Sequence, residues 1–263
     1  MLTFLKLGGS LITDKDIPYS SRKKTIKRIG REILDFLDVQ PDHHLLIGHG
    51  SGSFGHYAAS KIGTIDGVHT PDEWLGFQSV WWAARQLNQI VCEIFVEIGL
   101  PIISLPASSA LITKDRSISA WMTQPLEESV NHGLIPIIYG DVLFDHYLGG
   151  TIFSTEELFE GLTGHLHPAR ILLAGIDSGV YRDFPENMDL IDRISMQSFQ
   201  EEVMNLQKSS ATDVTGGMIT KVMEMLTIVR QYQEIEIQIF SGENQTNIYK
   251  ALSGEHIGTI ISA

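Results

Sequence analysis

The sequence predicts an α/β protein built on a largely parallel sheet with helices on both faces. Strand-like and helix-like segments alternate along all 263 residues, which is typical of this class. Several apolar runs lead directly into glycine-rich turns, as where the strand-like residues 2–5 precede Gly8 and Gly9. With 43% hydrophobic residues the chain can bury a full core, so we expect one domain over residues 1–263.

Apolar spacing predicts the individual elements in order. Residues 26–37 repeat at helical spacing, and Thr70, Pro71 and Glu73 form the pattern of a capping box that opens a long helix ending at Gly99. A shorter helix is expected at 123–131, and an amphipathic one after Gly217. Strands are expected around 45–47, 101–105, 134–139, 170–174, 235–240 and 258–261.

A glycine pair divides the predicted domain into two lobes. Gly149 and Gly150 are the expected hinge between an N-terminal lobe, residues 1–150, and a C-terminal lobe, residues 151–263. We expect the first lobe to bind an acceptor phosphate and the second to bind a nucleotide.

Composition excludes several classes of partner. The net charge is −13 and no run rich in Lys or Arg offsets it, which argues against nucleic acid and anionic membranes. Any anionic ligand must therefore be held by local groups. The single cysteine, Cys92, lies in an apolar helical pattern and excludes an internal disulfide framework. Together with the lack of a recognisable signal peptide or membrane helix, this favours the cytoplasm.

The segment from His49 to His56 has the order of an anion site: a strand, a glycine-rich turn and a helix. Gly50, Gly52 and Gly55 allow backbone N–H groups to approach an oxyanion, and a helix N-terminus behind them adds partial positive charge. We expect His56 at the helix entrance, where its ring could donate to the same anion.

A second anion site is expected where Gly216 and Gly217 precede an amphipathic helix. Lys221 lies on the second turn of that helix, and helical side chains lean toward the N-terminus, so its ammonium should project over the glycines. Lys6 stands beside another glycine turn. Two phosphate sites flanked by lysines favour phosphoryl transfer, which needs positioned phosphates and positive charge more than covalent chemistry.

Two further features have both a structural and a functional interpretation. Trp74, Phe77 and Trp81 share one face of the long helix, which favours core packing but also suits a wall for an apolar substrate tail. Asp141 follows a buried strand, where ligands of open α/β sheets bind, but a loop carboxylate there can equally cap a turn.

Five motifs in order give the chain a resemblance to the amino acid kinase superfamily, and within it to isopentenyl phosphate kinases. They are Lys6-Leu7-Gly8-Gly9-Ser10 with Thr13 and Lys15, the turn from His49 to His56, Tyr139-Gly140-Asp141-Val142, Gly179-Val180-Tyr181, and Asp213-Val214-Thr215-Gly216-Gly217-Met218 with Lys221. The resemblance implies an open αβα sandwich, a homodimer, and the use of ATP and Mg²⁺ to convert a small alkenyl monophosphate, isopentenyl phosphate, into its diphosphate.

The same resemblance assigns roles to individual residues. Lys6 and Lys221 would stabilise the transferring phosphoryl group, with His56 as the main side-chain donor to the acceptor phosphate. No metal ion held by protein side chains is expected. The acceptor would be held by Gly50, Gly52, Ser53, Gly55, His56 and Asp141; the nucleotide would be bound by Lys6, Gly8, Gly9, Lys15, Gly179, Tyr181, Gly216, Gly217, Met218 and Lys221. No motif covers the acceptor tail, which we place along Trp74, Phe77 and Trp81 from their shared helix face.

Two departures from the family pattern leave alternatives open. Ser154-Thr155-Glu156-Glu157 replaces the usual Ser-Gly-Asp-Asp, and Gly175-Ile176-Asp177-Ser178 replaces the usual Thr-Asp-Val-Asp. A longer acid could still order the lysines, but small misplacements slow transfer strongly. The alternatives are a kinase for another phosphate or phosphonate, of the fosfomycin-kinase type, and a nucleotide-binding protein without transfer activity.

Overall fold

A computed structural model describes residues 1–59, 67–183, 186–199 and 216–263. Within these ranges, eight strands form one sheet in the order β10-β12-β11-β9-β1-β2-β6-β3, and four form a second sheet in the order β5-β4-β7-β8. The strands are β1 (Leu2–Leu7), β2 (His44–His49), β3 (Ile102–Ser104), β4 (Leu111–Lys114), β5 (Ser117–Trp121), β6 (Ile135–Tyr139), β7 (Asp141–Asp145), β8 (Gly149–Phe153), β9 (Arg170–Gly175), β10 (Arg193–Ser195), β11 (Glu236–Ser241) and β12 (Thr259–Ser262).

Helices cover both faces of the large sheet. They are α1 (Gly9–Ile12), α2 (Lys23–Val39), α3 (Gly52–Ala59), α4 (Pro71–Glu97), α5 (Gln124–Asn131), α6 (Thr155–Leu166), α7 (Gly216–Gln231) and α8 (Asn247–Leu252). Neighbouring strands of the large sheet run parallel except β11 and β12. The expected αβα sandwich with a largely parallel sheet is confirmed.

Alternating residues of the central strands enter two separate cores. On β1, Leu5 and Leu7 face a core shared with α2, α4 and α8, whereas Phe4 faces a core shared with α6 and α7. On β9, Leu172 joins the first core and Ile171 the second. Because both faces are buried, these strands need continuous apolar runs, which is why the sequence marked them clearly.

Local signals fixed the ends of the long helix α4. The Thr70 hydroxyl accepts from the Glu73 N–H while the Glu73 carboxylate accepts from the Thr70 N–H, the expected capping box. At the other end Gly99 has φ +95°, and the N–H groups of Gly99 and Leu100 donate back into the last turn. No helix in the described ranges is long and apolar enough to cross a bilayer.

The small sheet was not predicted, and it changes the role of the glycine pair. Gly149 and Gly150 begin β8, which pairs antiparallel with β7, so they belong to a hairpin and not to a hinge. The large sheet continues across both proposed halves, since β1 pairs with β2 on one side and β9 on the other. The large sheet thus contains strands from both residues 1–150 and residues 151–263, and the binding roles expected of these two ranges stay predictions.

Two further expectations concern the starts of helices. The helix after β2 begins at Gly52, so His56 lies one turn inside it and not at its entrance. A glycine with positive φ at position 52 lets the chain enter the helix earlier than side-chain propensity suggested. At the other predicted anion site α7 does begin at Gly216, while residues 213–215 of that motif lie outside the described ranges.

Candidate active site

The glycine turns after β1 and β2 form one structure. Leu7 pairs with His49, so both strands end side by side at the carboxyl edge of the sheet. A Cβ on Gly9 would lie 2.5 Å from the Gly52 backbone nitrogen, and a Cβ on Gly50 would lie 2.9 Å from the Gly9 nitrogen. Glycine is required because the two backbones approach too closely for a side chain.

Thr13 joins these turns and was named only as part of the motif. Its buried hydroxyl donates to the Gly9 carbonyl at 2.7 Å and accepts the Ser53 N–H at 3.0 Å. The Ser53 N–H is therefore already used within the protein. The Ser53 hydroxyl is buried without a partner among the described groups, and Ser53 lines neither of the two cavities that meet at Lys6.

A buried carboxylate lies between the two lysines predicted to act on the phosphoryl group. Glu156, on the first turn of α6, pairs with the Lys6 ammonium, and both residues are less than one-tenth exposed. Burial by itself would raise the pKa of Glu156, but Lys6 and Lys221 hold that pKa below its ordinary value. Burial, reinforced by Lys6, lowers the pKa of Lys221, while Glu156 and Asp177 oppose this shift. The Glu156 carboxylate thus offsets the repulsion between the Lys6 and Lys221 ammonium groups.

The start of α6 is fixed by hydrogen bonds to the glycine turns and within its own cap. The Thr155 hydroxyl donates to the His49 carbonyl at 2.7 Å. Ser154 and Glu157 form a reciprocal capping box. The sequence that departs from the family pattern therefore builds a regular helix start that places Glu156 beside Lys6.

Two cavities meet at Lys6 and Glu156. One, of about 410 Å³, lies beside the small sheet and is called here the small-sheet cavity. The other, of about 620 Å³, lies beside the start of α7 and is called the α7 cavity. Both are lined by Lys6, Gly9, Ser10, Lys15 and Glu156. A group bound in one cavity can therefore face a group bound in the other.

The small-sheet cavity combines the β2 glycine turn with an apolar wall. Gly50, Gly52 and Gly55 line it as predicted, together with Asp141. Its apolar lining comes from Val80, Ala84, Ile152 and Phe153. The helix α4 does contribute, through Val80 and Ala84, which lie next to the expected residues on the same side of the helix.

Trp74, Phe77 and Trp81 do not line the small-sheet cavity. Trp74 and Phe77 pack against each other and against Phe144, and Trp81 packs beside Trp82 and Arg85. The core-packing interpretation of this aromatic stripe fits their positions, and a tail-binding wall at these three residues stays a prediction. Val80 and Ala84 are the α4 residues that line the small-sheet cavity.

Asp141 is almost completely buried and lines the small-sheet cavity. It accepts N–H groups from Ser108 at 3.1 Å and Val142 at 2.9 Å. Burial raises the pKa of Asp141 to about 6, because these hydrogen bonds only partly replace its hydration. Both interpretations of Asp141 hold in part, since it supports a turn and also borders the cavity.

The α7 cavity contains the residues that were assigned to the nucleotide. It is lined by the predicted Gly8, Gly9, Lys15, Gly179, Tyr181, Gly217, Met218 and Lys221, and also by Asp177 and Asn187. Val180 is held in place beside it, because its N–H donates to the Thr259 hydroxyl at 2.8 Å. Gly216 begins α7 at the same end. Of His56 the structure describes the helical backbone alone, so its role as a phosphate donor stays a prediction.

Glu156, Ser10 and Arg116 line the cavities but were not among the predicted site residues. Glu156 was visible only as a departure from a motif, because it contacts a lysine 150 positions away. Ser10 follows the glycine pair directly and could have been included. Arg116 lies in the turn between β4 and β5 of the small sheet, and no motif in the sequence marks it as a site residue.

The two joined cavities suit a small-molecule kinase, a class in which a nucleotide and a small acceptor are held face to face. The chain belongs to the amino acid kinase family, whose sequence pattern matches residues 1–241. It is 34% identical over 268 residues to isopentenyl phosphate kinase of Methanocaldococcus jannaschii, covering 99% of this chain and 98% of the relative. It is 29% identical over 269 residues to the enzyme of that name from Methanothermobacter thermautotrophicus, covering 99% of each.

A solved structure of an isopentenyl phosphate kinase has the same fold. It superimposes with a TM-score of 0.83 at 26% identity and covers 100% of both chains. The resemblance inferred from five motifs is thereby confirmed over the full length.

Proposed function

We propose that this protein transfers the γ-phosphoryl group of ATP to isopentenyl phosphate, forming isopentenyl diphosphate. The observation that carries this proposal is the junction of two cavities at Lys6 and Glu156, one with an apolar wall and one beside a helix N-terminus. The full-length relatives named isopentenyl phosphate kinase support the choice of acceptor.

The acceptor occupies the small-sheet cavity in this proposal. Its phosphate lies against the glycine turn at Gly50 and Gly52, with His56 as a further donor, and its short tail lies against Val80, Ala84 and Phe153. A phosphate monoester is already an anion at neutral pH, so the attacking oxygen needs no general base. Residues therefore have to orient the acceptor and neutralise charge.

ATP occupies the α7 cavity, with its phosphates toward Lys6. Lys6 and Lys15 border both cavities and stabilise charge on the moving phosphoryl group, and Lys221 approaches from the nucleotide side. Glu156 positions the Lys6 ammonium and limits repulsion between Lys6 and Lys221. This division of labour follows from electrostatics, since a lysine ammonium carries positive charge and donates hydrogen bonds to phosphate oxygens.

Magnesium enters this proposal with the nucleotide. No three His, Cys, Asp or Glu side chains are grouped as metal ligands in the described ranges, so we derive no step through a protein-held ion. Mg²⁺ commonly keeps several waters and binds chiefly through substrate phosphates, whose charge it reduces. We also propose a homodimer, which the family resemblance implies, and a cytoplasmic location, which the single cysteine favours.

Initial rates of ADP release test the proposed function. We expect acceptor-dependent turnover with isopentenyl phosphate, weaker turnover with longer alkenyl phosphates, and none with fosfomycin or without acceptor. Lys221→Ala should lower the rate by at least about a hundredfold, since one lost charge-stabilising donor typically has that effect. Turnover restricted to fosfomycin would support the alternative phosphonate kinase, and ATP binding without any acceptor-dependent turnover would support a non-catalytic protein.

A further inference from the structure

Each cavity is bordered by three cations, of which two are shared. Lys6 and Lys15 line both cavities, whereas Lys221 lines only the α7 cavity and Arg116 lines only the small-sheet cavity. These assignments concern the described residues. Arg116 therefore occupies, on the acceptor side, the position that Lys221 occupies on the nucleotide side.

The acceptor side needs such a charge. Asp141, Glu156 and Glu157 also line the small-sheet cavity, and their carboxylates oppose the entry of a phosphate monoester. Glu156 is already paired with Lys6. Because the chain as a whole carries a net charge of −13, long-range attraction cannot supply what the cavity lacks.

Arg116 is held in a fixed position at this cavity. Its guanidinium donates to the Thr151 hydroxyl at 2.7 Å, to the Ile152 carbonyl at 3.2 Å and to the Glu157 carboxylate. It also lies 5.3 Å from the centre of the Phe153 ring. A guanidinium has five N–H donors, and three of them make these bonds, which leaves donors for a ligand.

The turn that carries Arg116 is unusual for its residues. Asp115 and Arg116 form a two-residue hairpin loop with φ +50° and +59°, a conformation for which Asn-Gly is preferred. The buried Asp145 carboxylate supports this backbone by accepting N–H groups from Asp115 at 3.0 Å and Arg116 at 2.9 Å. It also accepts the N–H groups of Tyr147 and Leu148. These hydrogen bonds stabilise Arg116 in a left-handed backbone conformation that glycine would adopt at a lower steric cost.

We propose that Arg116 is a specificity-determining residue that binds the phosphate of the acceptor and selects phosphorylated over neutral acceptors. The proposal deepens the proposed function and rests on it for the identity of the acceptor. Glu157 holds part of the Arg116 charge when the cavity is empty of anion and competes with the acceptor for the guanidinium.

Two variants with opposite expected effects test this role. Arg116→Gln should raise the KM for isopentenyl phosphate about tenfold while the KM for ATP stays within about twofold, as for one lost charge-assisted contact at a partly exposed site. Glu157→Gln retains an amide oxygen for the α6 cap but removes the competing charge, so it should lower the acceptor KM about threefold. Lys114→Gln is the matched control, because Lys114 is an exposed cation on the same hairpin that lines neither cavity.

A purely structural pair gives a different pattern. If Arg116 and Glu157 only join the hairpin to α6, both variants should weaken acceptor binding. An acceptor KM that rises equally in Arg116→Gln and Glu157→Gln would overturn the proposal. Should Arg116→Gln fail to fold, Arg116→Lys keeps a charge without the planar fork. The acceptor KM of Arg116→Lys should rise, but by less than fivefold. An unchanged acceptor KM in Arg116→Lys, together with an acceptor KM that is not lowered in Glu157→Gln, also overturns the proposal.

The proposed function and the role of Arg116 fail separately. Absence of turnover with isopentenyl phosphate in the wild-type protein rejects the proposed acceptor. Calorimetry with inorganic phosphate can then still test the role of Arg116. Weaker phosphate binding by Arg116→Gln than by Lys114→Gln supports this role. Equal phosphate binding by the two variants, or no phosphate binding by the wild-type protein, rejects it.

Discussion

The α7 cavity and the small-sheet cavity share a wall but are built in different ways. The α7 cavity lies at the ends of parallel strands and at a helix start, and its cation Lys221 stands on a regular helix. The small-sheet cavity adds a hairpin, a reciprocal helix cap and close contacts between glycine backbones. Under the proposed function, residues of the large sheet and its helices hold the nucleotide phosphates, whereas the small sheet contributes to the choice of acceptor.

The shared wall should be the most sensitive place. Lys6→Ala removes a cation from both cavities and should lower kcat by about a thousandfold, because charge stabilisation of the transition state is lost. It also removes the ion-pair partner of the buried Glu156, so the free energy of unfolding should fall as well, and kcat is measured on the folded fraction. Steady-state kinetics with isopentenyl phosphate measure this. Lys27→Ala, which breaks a surface pair with Glu97, is the control. A Lys6→Ala enzyme that retains more than a tenth of wild-type kcat would show that the junction of the cavities is not where transfer occurs.

Neutralising Glu156 should have the next largest effect. Glu156→Gln leaves Lys6 and Lys221 facing each other without a compensating charge, so we expect kcat to fall about tenfold to a hundredfold. The pKa of Lys221 should fall further, which moves the alkaline decline of the pH–rate profile to lower pH. Glu160→Gln, one turn further along α6, is the matched control. An unshifted alkaline decline in Glu156→Gln would mean that Glu156 does not keep the lysines charged.

An added Cβ should affect stability differently at Gly52, which lines the small-sheet cavity, and at Gly217, which lines the α7 cavity. At Gly52, φ is +50° and an added Cβ would lie 2.7 Å from the Gly9 carbonyl oxygen, so Gly52→Ala should lower the free energy of unfolding by about 2–4 kcal/mol. At Gly217 no described atom lies within 4 Å of an added Cβ. Gly217→Ala should therefore change stability by less than about 1 kcal/mol. Urea unfolding of both variants compares them, and similar losses would contradict the close contact between the turns.

Asp141 gives the small-sheet side a pH dependence of stability. Its pKa is raised to about 6 by burial, whereas an unfolded aspartate titrates near 4. Between these values the folded protein binds more protons, so the contribution of Asp141 to stability falls as pH rises from about 4 to about 6. The change should be about 2–3 kcal/mol, at 1.36 kcal/mol for each pKa unit.

Asp141→Asn should remove this dependence. The difference in unfolding free energy between variant and wild type should shift in favour of the variant on going from pH 4 to pH 7, as measured by urea titration. Asp42→Asn at the exposed end of the α2–β2 connection is the control. A difference that does not vary with pH would show that Asp141 titrates normally in the folded protein.

The sequence predicted the parts whose chemistry restricts residue type. The turn backbones at Gly9, Gly50 and Gly52 approach each other too closely for a side chain, and only glycine permits this, so the motif was readable. The central strands were equally readable, because burial on both faces demands unbroken apolar runs.

The acceptor side was less predictable because its contacts are made at long range by ordinary residues. β4 alternates buried and exposed residues, β5 is mostly exposed, and their turn contains Asp115 and Arg116 in place of glycine. Glu156 meets a lysine 150 residues away. The aromatic stripe at Trp74, Phe77 and Trp81 lies beside the lining residues Val80 and Ala84 on α4, since side-chain type does not tell which of several neighbours on a helix border a cavity.

The stereochemical course at the γ-phosphorus tests most directly whether donor and acceptor face each other across Lys6 and Glu156. With ATP made chiral at that phosphorus and isopentenyl phosphate as acceptor, direct in-line transfer between the two cavities should invert the configuration in the diphosphate product. Inversion, read by ³¹P NMR, is the result that this account predicts. Retention would require two successive transfers through a phosphorylated side chain and would contradict direct transfer at the junction.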